Sequence, residues 1–148
     1  MTWATDRLAA LKAGATDLPP VVRTLKLGTL GDWGEGWAKK RWTPAPEVLN
    51  GDGTMFGGYI AALADQILTF AAMTVVPGNS AFRTANLSLQ FLKLTRGEPL
   101  VIEARGLAQS KQTIAVEAEF RTESGALVAK AIAQQIVTPF PAPAPSAP

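Results

Sequence analysis

The hydrophobic pattern divides the chain into a helical part and a strand part. From about residue 55 to residue 75 the chain is apolar at almost every position, and Pro77 and Gly78 follow. This pattern predicts one long helix that ends before the proline. A helix that is apolar on all sides must be covered on all sides by the rest of the protein.

After Gly78 the period of the pattern changes from that of a helix to the two-residue period of a strand. This alternation predicts long antiparallel strands that follow one another along the chain. The expected strands lie at 85–91, 102–105, 113–120 and 126–137, with turns at Arg96-Gly97, Ser110-Lys111 and Ser124-Gly125. Small residues at Ala129, Ala131 and Ala133 would let the last strand approach the long helix closely.

The remaining segments complete an α+β domain. A short N-terminal helix is expected at 3–13, and one or two strands are expected at 25–43, joined through Gly34 and Gly36. We therefore predict a single domain over residues 1–138, in which a curved antiparallel sheet wraps the long central helix. Residues 139–148 are rich in Pro and Ala and are expected to be an extended, flexible tail.

Composition excludes several kinds of chemistry. The 148 residues include no His and no Cys, so disulfides, Cys-His sites and Ser-His-Asp triads are impossible. Catalysis would depend on carboxylates, hydroxyls, amides, Lys, Arg or backbone N–H groups, and we expect no metal or redox cofactor. A net charge of +2 gives no sign of nucleic-acid binding.

The chain also lacks the features of a membrane protein. The N-terminus has no apolar signal core, and the longest apolar stretch is broken by Asp65 and Gln66. We expect a cytoplasmic protein that does not enter a membrane.

Two unusual features lie within the predicted central helix. Gly57 and Gly58 stand at its start, where unpaired N–H groups and a close backbone approach can hold an oxyanion. Asp65 lies eight residues later, about 12 Å along the helix axis. The two features of one helix cannot both touch one carbonyl group. Two helices packed side by side in opposite directions would bring them together, so the sequence predicts an obligate dimer with two shared sites.

These residues also form a family pattern. Asn50 precedes Phe56-Gly57-Gly58 and then Ala64-Asp65, and "TANLSLQFL", "RGEPL" and "SGALVAKAIAQ" follow in that order. From about Trp37 to Val137 the chain resembles the hot-dog fold acyl-CoA thioesterases of the phenylacetate-degradation type. The resemblance implies a hot-dog fold, a homodimer or dimer of dimers, and hydrolysis of an acyl-CoA thioester.

The resemblance also implies roles for individual residues. Asp65 would be the base or nucleophile, and the N–H of Gly57 would bind the thioester carbonyl. Thr84 would orient the carboxylate or a water, and Asn50 would support the Gly57 corner. The substrate, which brings coenzyme A as one of its parts, would contact Phe56, Gly58, Tyr59 and Lys111.

One residue departs from the family pattern. The family usually has His where this chain has Phe56. The larger double hot-dog thioesterases carry Phe-Gly-Gly here and have their catalytic groups elsewhere. A protein that binds acyl-CoA or an acyl carrier without turnover is therefore the alternative. Hot-dog dehydratases and hydratases use a His, which this chain lacks.

Structural explanations remain open for the same residues. The glycines could serve helix packing alone, and Asp65 could be a buried structural acid. Asn50 could shape the "NGDG" turn, and Thr84 could be an ordinary strand residue. The basic run at 39–41 is expected to be a solvated strand face.

Overall fold

A computed structural model describes residues 1–143 of the chain. The helices are α1 (Trp3–Lys12), α2 (Pro20–Thr24) and α3 (Gly57–Met73), and a short 3-10 turn covers Pro46–Val48. The strands are β1 (Asp32–Gly34), β2 (Trp37–Trp42), β3 (Ser80–Phe91), β4 (Leu100–Gln109), β5 (Thr113–Thr122) and β6 (Leu127–Pro139). Within this described part, no helix is long and apolar enough to cross a membrane.

The long helix α3 lies where the hydrophobic pattern predicts it. It begins at Gly57, with Phe56 in extended conformation before it, and it ends at Met73. The Thr74 hydroxyl caps its last turn by donating to the carbonyl of Ala71 at 2.7 Å. The same hydroxyl accepts the Gly36 N–H at 2.8 Å, which ties the end of the helix to the β1–β2 turn.

The sheet wraps this helix, as the sequence predicts. Within residues 1–143 the strands form one antiparallel sheet of six strands, in the order β1-β2-β4-β5-β6-β3. Helix α3 packs mainly against β2, β4 and β5. The inward residues of β6, Ala129, Ala131 and Ala133, are almost fully buried. The predicted hot-dog architecture is therefore confirmed.

The order of the strands in the sheet differs from their order in the chain. Strand β3 does not pair with β4, which follows it in the chain, but with β6 at the edge of the sheet. Of the three predicted turns, those at 110–111 and 124–125 form tight hairpins, whereas Arg96-Gly97 lies in a longer crossing between β3 and β4. That crossing is fixed to the loop before α3, because the Met55 N–H donates to the carbonyl of buried Thr95 at 2.9 Å.

The strand predicted from residue 25 begins only at Asp32. Lys26 and Gly28 both have positive φ, at 51° and 70°, and this conformation cannot continue an extended strand. Residues 25–31 instead run beside α3 and β2. The indole N–H of Trp42 donates to the carbonyl of Lys26 at 3.0 Å and holds this segment in place.

The basic run at 39–41 is not the solvated face that the sequence suggested. Strand β2 alternates, so Lys39 and Arg41 are exposed while Lys40 is only 4% exposed. The Lys40 ammonium donates to the carbonyl of Leu27 at 2.6 Å and also to Oε1 of Gln66. Burial lowers the pKa of Lys40 to about 7, because desolvation penalises its charged form.

The final strand continues slightly beyond the predicted end of the domain. Pro139 still pairs with Ser80, because an edge-facing proline does not need the N–H that it lacks. The Phe140 N–H donates to the carbonyl of Asn79 at 2.8 Å, and its ring packs edge-on against Trp3 at 6.2 Å. Pairing therefore does not stop at residue 138. The expected flexible tail includes residues 144–148, which lie outside the described residues.

The burial of Lys40 predicts a dependence of stability on pH. In the unfolded chain a lysine holds its proton until about pH 10.4, whereas folded Lys40 releases it near pH 7. The unfolded state therefore binds more protons between these values, and the free energy of unfolding rises with pH there. The slope is at most about 1.4 kcal/mol per pH unit.

Urea unfolding from pH 7 to pH 9.5 measures this slope. The Lys40→Met variant should lose it, while Lys39→Met, which alters the exposed neighbour, should keep it. Equal slopes in the wild type and Lys40→Met would contradict the account.

Candidate functional site

Asp65 and Thr84 come together between the central helix and the edge strand. The Thr84 hydroxyl on β3 donates to Oδ1 of Asp65 on α3 at 2.9 Å. Both side chains are exposed in the single subunit. A bulge in the β3–β6 pairing places Ala85 between the paired residues Thr84 and Asn86. Such bulges redirect neighbouring side chains. The carboxylate is therefore accessible and held by one hydroxyl.

The two glycines lie at the first turn of α3. Gly57 is half-buried, Gly58 is exposed, and within residues 1–143 neither N–H donates to a protein acceptor. A Cβ on Gly57 would lie 3.0 Å from Cζ of Phe91, and a Cβ on Gly58 would lie 2.7 Å from Cε1 of Phe56. The two free N–H groups therefore stand at the positive end of the helix dipole, where the rings of Phe91 and Phe56 leave little room for a Cβ on either glycine.

These two features are separated within one subunit. Gly57 and Asp65 belong to the same helix, about 12 Å apart along its axis. One carbonyl group cannot reach both of them. The sharing of a site between two subunits stays a prediction.

Asn50 is part of the loop that leads into α3. Its side-chain amide donates to Thr54 Oγ1 at 3.0 Å and to the Met55 carbonyl at 3.2 Å. The Asn50 backbone N–H also donates to the carbonyl of Thr54, at 2.7 Å. The side chain therefore shapes the loop before Gly57. Its role in supporting the site stays a prediction.

Phe56 and Tyr59 line an open groove beside the start of α3. Phe56 is 56% exposed, whereas Tyr59 is buried and stacks on Trp42 with ring centroids 5.4 Å apart. The Tyr59 hydroxyl is buried without a partner among residues 1–143, and desolvation raises the pKa of Tyr59. The structure brings these two predicted substrate contacts together, but not close to Asp65 of the same subunit.

Lys111 lies far from the glycines within the subunit. It is exposed in the β4–β5 turn, next to Gln109, whose side chain donates to the carbonyl of Val75 beyond the end of α3. It therefore stands near the opposite end of the helix from Gly57. Only a second subunit could bring Lys111 close to a glycine corner.

Gln135 is a residue near the site that the sequence interpretation missed. It pairs directly with Thr84 across the β3–β6 ladder, so the two side chains share a face of the sheet. Gln135 is completely buried, and within the described residues neither atom of its amide has a hydrogen-bond partner. The signal was present in the sequence, because Gln135 occupies an inward position of β6 where alternation calls for an apolar residue.

A pocket of about 280 Å³ opens beside Asp65. Helix α3 forms one wall, and α1, α2 and the residues up to Thr29 form the other. In the part of the chain that the structure describes, no group of three or more acidic side chains could hold a metal ion. The site therefore consists of a carboxylate, a hydroxyl, free N–H groups and an adjoining pocket.

Solved structures with the same fold include several thioesterases. A phenylacetic acid degradation-related protein from Ralstonia eutropha is 24% identical, with a TM-score of 0.77 over 87% of this chain and 98% of that one. A hypothetical thioesterase from Streptococcus pneumoniae, solved with coenzyme A, is 22% identical, with a TM-score of 0.69 over 74% and 84% of the two chains.

A third structure contains a ligand of the same class. The smu.793 protein from Streptococcus mutans, bound to acetyl CoA, is 25% identical, with a TM-score of 0.68 over 74% of this chain and 87% of that one. Comparison with curated protein sequences gives no match.

The family is decided by a match over more than half of the chain. The model of the thioesterase superfamily matches residues 52–129, from the loop before α3 to the inward face of β6. This range contains Gly57, Asp65 and Thr84. The chain belongs to the thioesterase superfamily.

Proposed function

We propose that the protein is an acyl-CoA thioesterase whose two active sites are shared across a homodimer. The observation that carries the proposal is the exposed Asp65 carboxylate held by Thr84 at 2.9 Å, in a member of the thioesterase superfamily. The relatives solved with coenzyme A and with acetyl CoA support acyl-CoA as the substrate class.

The available groups match the charges that develop in thioester hydrolysis. The Asp65 carboxylate takes a proton from a water as the water oxygen attacks the carbonyl carbon. Negative charge forms on the carbonyl oxygen, where the Gly57 N–H of the other subunit would stabilise it. Breaking the C–S bond releases coenzyme A, whose sulfur recovers the proton from Asp65, and leaves the carboxylic acid.

A second chemical route uses the same residues. An Asp65 oxygen attacks the carbonyl carbon directly and expels the thiolate, and water then hydrolyses the resulting anhydride. In both routes the Thr84 hydroxyl orients the carboxylate. Neither route needs a metal or a redox cofactor, because hydrolysis transfers only water and protons.

The edge of the sheet supports the dimer. Strand β3 is twelve residues long and pairs only with β6 among the described strands, so its other edge is open. Long open edges are strongly disposed to pair with a second chain. Phe91, at the end of β3, is 58% exposed and lies over Gly57, and Leu92 and Leu94 next to it are also exposed. A second copy on this side would cover these apolar side chains.

An antiparallel dimer would also place the predicted substrate contacts. Asp65 of one subunit would approach Gly57, Gly58 and the Phe56–Tyr59 groove of the other. Lys111 at the far end of the first helix would then stand near that same corner, where it could pair with a phosphate of coenzyme A. A second oligomeric contact would give a dimer of dimers.

Binding without turnover is the second candidate function. Exposed Phe56 supports it, because its side chain cannot transfer a proton at the place where the family usually has His. Incubation with a panel of acyl-CoAs and a thiol reagent distinguishes hydrolysis from binding without turnover, since only a thioesterase releases free coenzyme A.

Replacing Asp65 tests the catalytic carboxylate. Asp65→Asn keeps the shape and can still accept the Thr84 hydrogen bond, but it is a poor base and nucleophile. We expect turnover to fall by about 100- to 10,000-fold, with little change in binding of a non-hydrolysable substrate analogue. Asp17→Asn, at an exposed carboxylate in the loop before α2, is the matched control. Turnover of Asp65→Asn within a few-fold of the wild type would make Asp65 structural.

Replacing Gly57 tests the backbone donor. Gly57→Pro removes the N–H, and proline is tolerated at the first position of a helix. Phe56, at φ −69° and ψ 125°, already has the conformation that a following proline requires. We expect a loss of about 100- to 1,000-fold in turnover.

The control for this variant is Gly57→Ala. It keeps the N–H and adds a Cβ against the same Phe91 ring. Circular dichroism and thermal melts establish that both variants fold. Equal losses of turnover in the Pro and Ala variants would show that packing, and not the N–H, is what matters at Gly57.

A further inference from the structure

The pocket beside Asp65 has no assigned occupant. Its volume is about 280 Å³, and its lining is mostly apolar. The charged residues in the lining are Arg7 and Asp65. The pocket therefore joins an apolar space directly to the carboxylate of the candidate site.

One wall of the pocket comes from residues 1–31, which we call the N-terminal segment. Its apolar contributions are Leu11, Leu18, Val21, Val22, Leu25 and Leu27. The superfamily match begins at residue 52, so this wall lies outside the matched range. The facing wall is the side of α3 that carries Asp65 and, one turn later, Thr69.

Polar contacts hold the wall in place. The Lys40 ammonium donates to the carbonyl of Leu27 at 2.6 Å, and Nε2 of Gln66 donates to the carbonyl of Gly28 at 3.0 Å. Lys40 also donates to Oε1 of Gln66. Strand β2, helix α3 and the N-terminal segment are therefore fastened together beside Leu27 and Gln66, which both line the pocket.

We propose that this pocket binds the acyl chain of the thioester and selects an aliphatic chain of on the order of ten carbons. This inference rests on the proposed thioesterase function. The carbonyl carbon lies at Asp65, and the chain extends between α3 and the N-terminal segment.

The volume favours a chain over a single ring. A cavity of roughly 150 Å³ lined by apolar side chains holds one benzene molecule. At that density the pocket takes about twice as many carbons, so a phenyl group would leave nearly half of it empty. Apolar side chains that face unfilled space lose van der Waals contacts. Each further methylene that the pocket buries raises the affinity about fourfold.

Binding of alkyl thioethers of coenzyme A tests the pocket without requiring hydrolysis. Titration calorimetry on the wild type would use S-alkyl chains from two to sixteen carbons and an S-phenylethyl thioether. We expect affinity to rise about fourfold per methylene and to level off near ten carbons, with the phenylethyl compound weaker than the decyl one. The same affinity for every chain length would overturn the proposal.

Two variants change the pocket in opposite directions. Thr69→Phe fills it from α3, and Leu18→Ala enlarges it from the N-terminal segment. The chain length at which affinity levels off should shorten in the first and lengthen in the second. Thr138→Phe is the control, because it makes the same Thr-to-Phe change at an exposed position on β6. It should leave the dependence of affinity on chain length as it is in the wild type.

Hydrolysis of the matching acyl-CoA series separates this inference from the proposed function. In one outcome, the variants shift the chain length that the thioethers prefer, but no acyl-CoA is hydrolysed. That outcome would support the acyl-chain pocket and overturn the proposed thioesterase activity. In the other outcome, acyl-CoAs are hydrolysed, but neither variant shifts the preferred chain length. That outcome would support the thioesterase activity and overturn the acyl-chain pocket.

Discussion

The rise of an α-helix sets the central constraint on this molecule. At about 1.5 Å per residue, the eight residues from Gly57 to Asp65 span about 12 Å, and no side-chain movement brings the free N–H to the carboxylate. The sheet wraps α3 and orients both groups, but it cannot bring them together. Thr84 on the open edge strand then becomes important, because it draws Asp65 toward the side of the subunit where a second copy can pair.

Much of the fold could be predicted because its elements have strong and distinct periods. The apolar run of α3 and the alternation of β5 and β6 allow only one secondary structure each. The position of β3 could not be predicted, since alternation shows that a strand exists but not which strand it pairs with. Leu87 and Leu89 are only half-buried in the subunit, which fits an edge strand that awaits a further neighbour.

The candidate site was predicted less completely than the fold. Asp65, Gly57 and Thr84 follow from the family pattern, and the structure adds the hydrogen bond between two of them. Lys40 and Gln135 were missed for a common reason: each is a polar residue at an inward position of a strand. A polar residue that breaks an apolar alternation signals a buried contact, but its partner depends on the tertiary structure. Lys40 finds its partners in the carbonyl of Leu27 and the side chain of Gln66, and neither contact follows from the alternation of β2.

Complementation between two inactive subunits tests the shared site most directly. Asp65→Asn and Gly57→Pro would be co-expressed with different tags, and the mixed dimer would be purified. If each site combines Asp65 of one subunit with Gly57 of the other, the mixed dimer has one intact site and about half the turnover of the wild type. A mixed dimer as inactive as its two parents would contradict a site built across the interface.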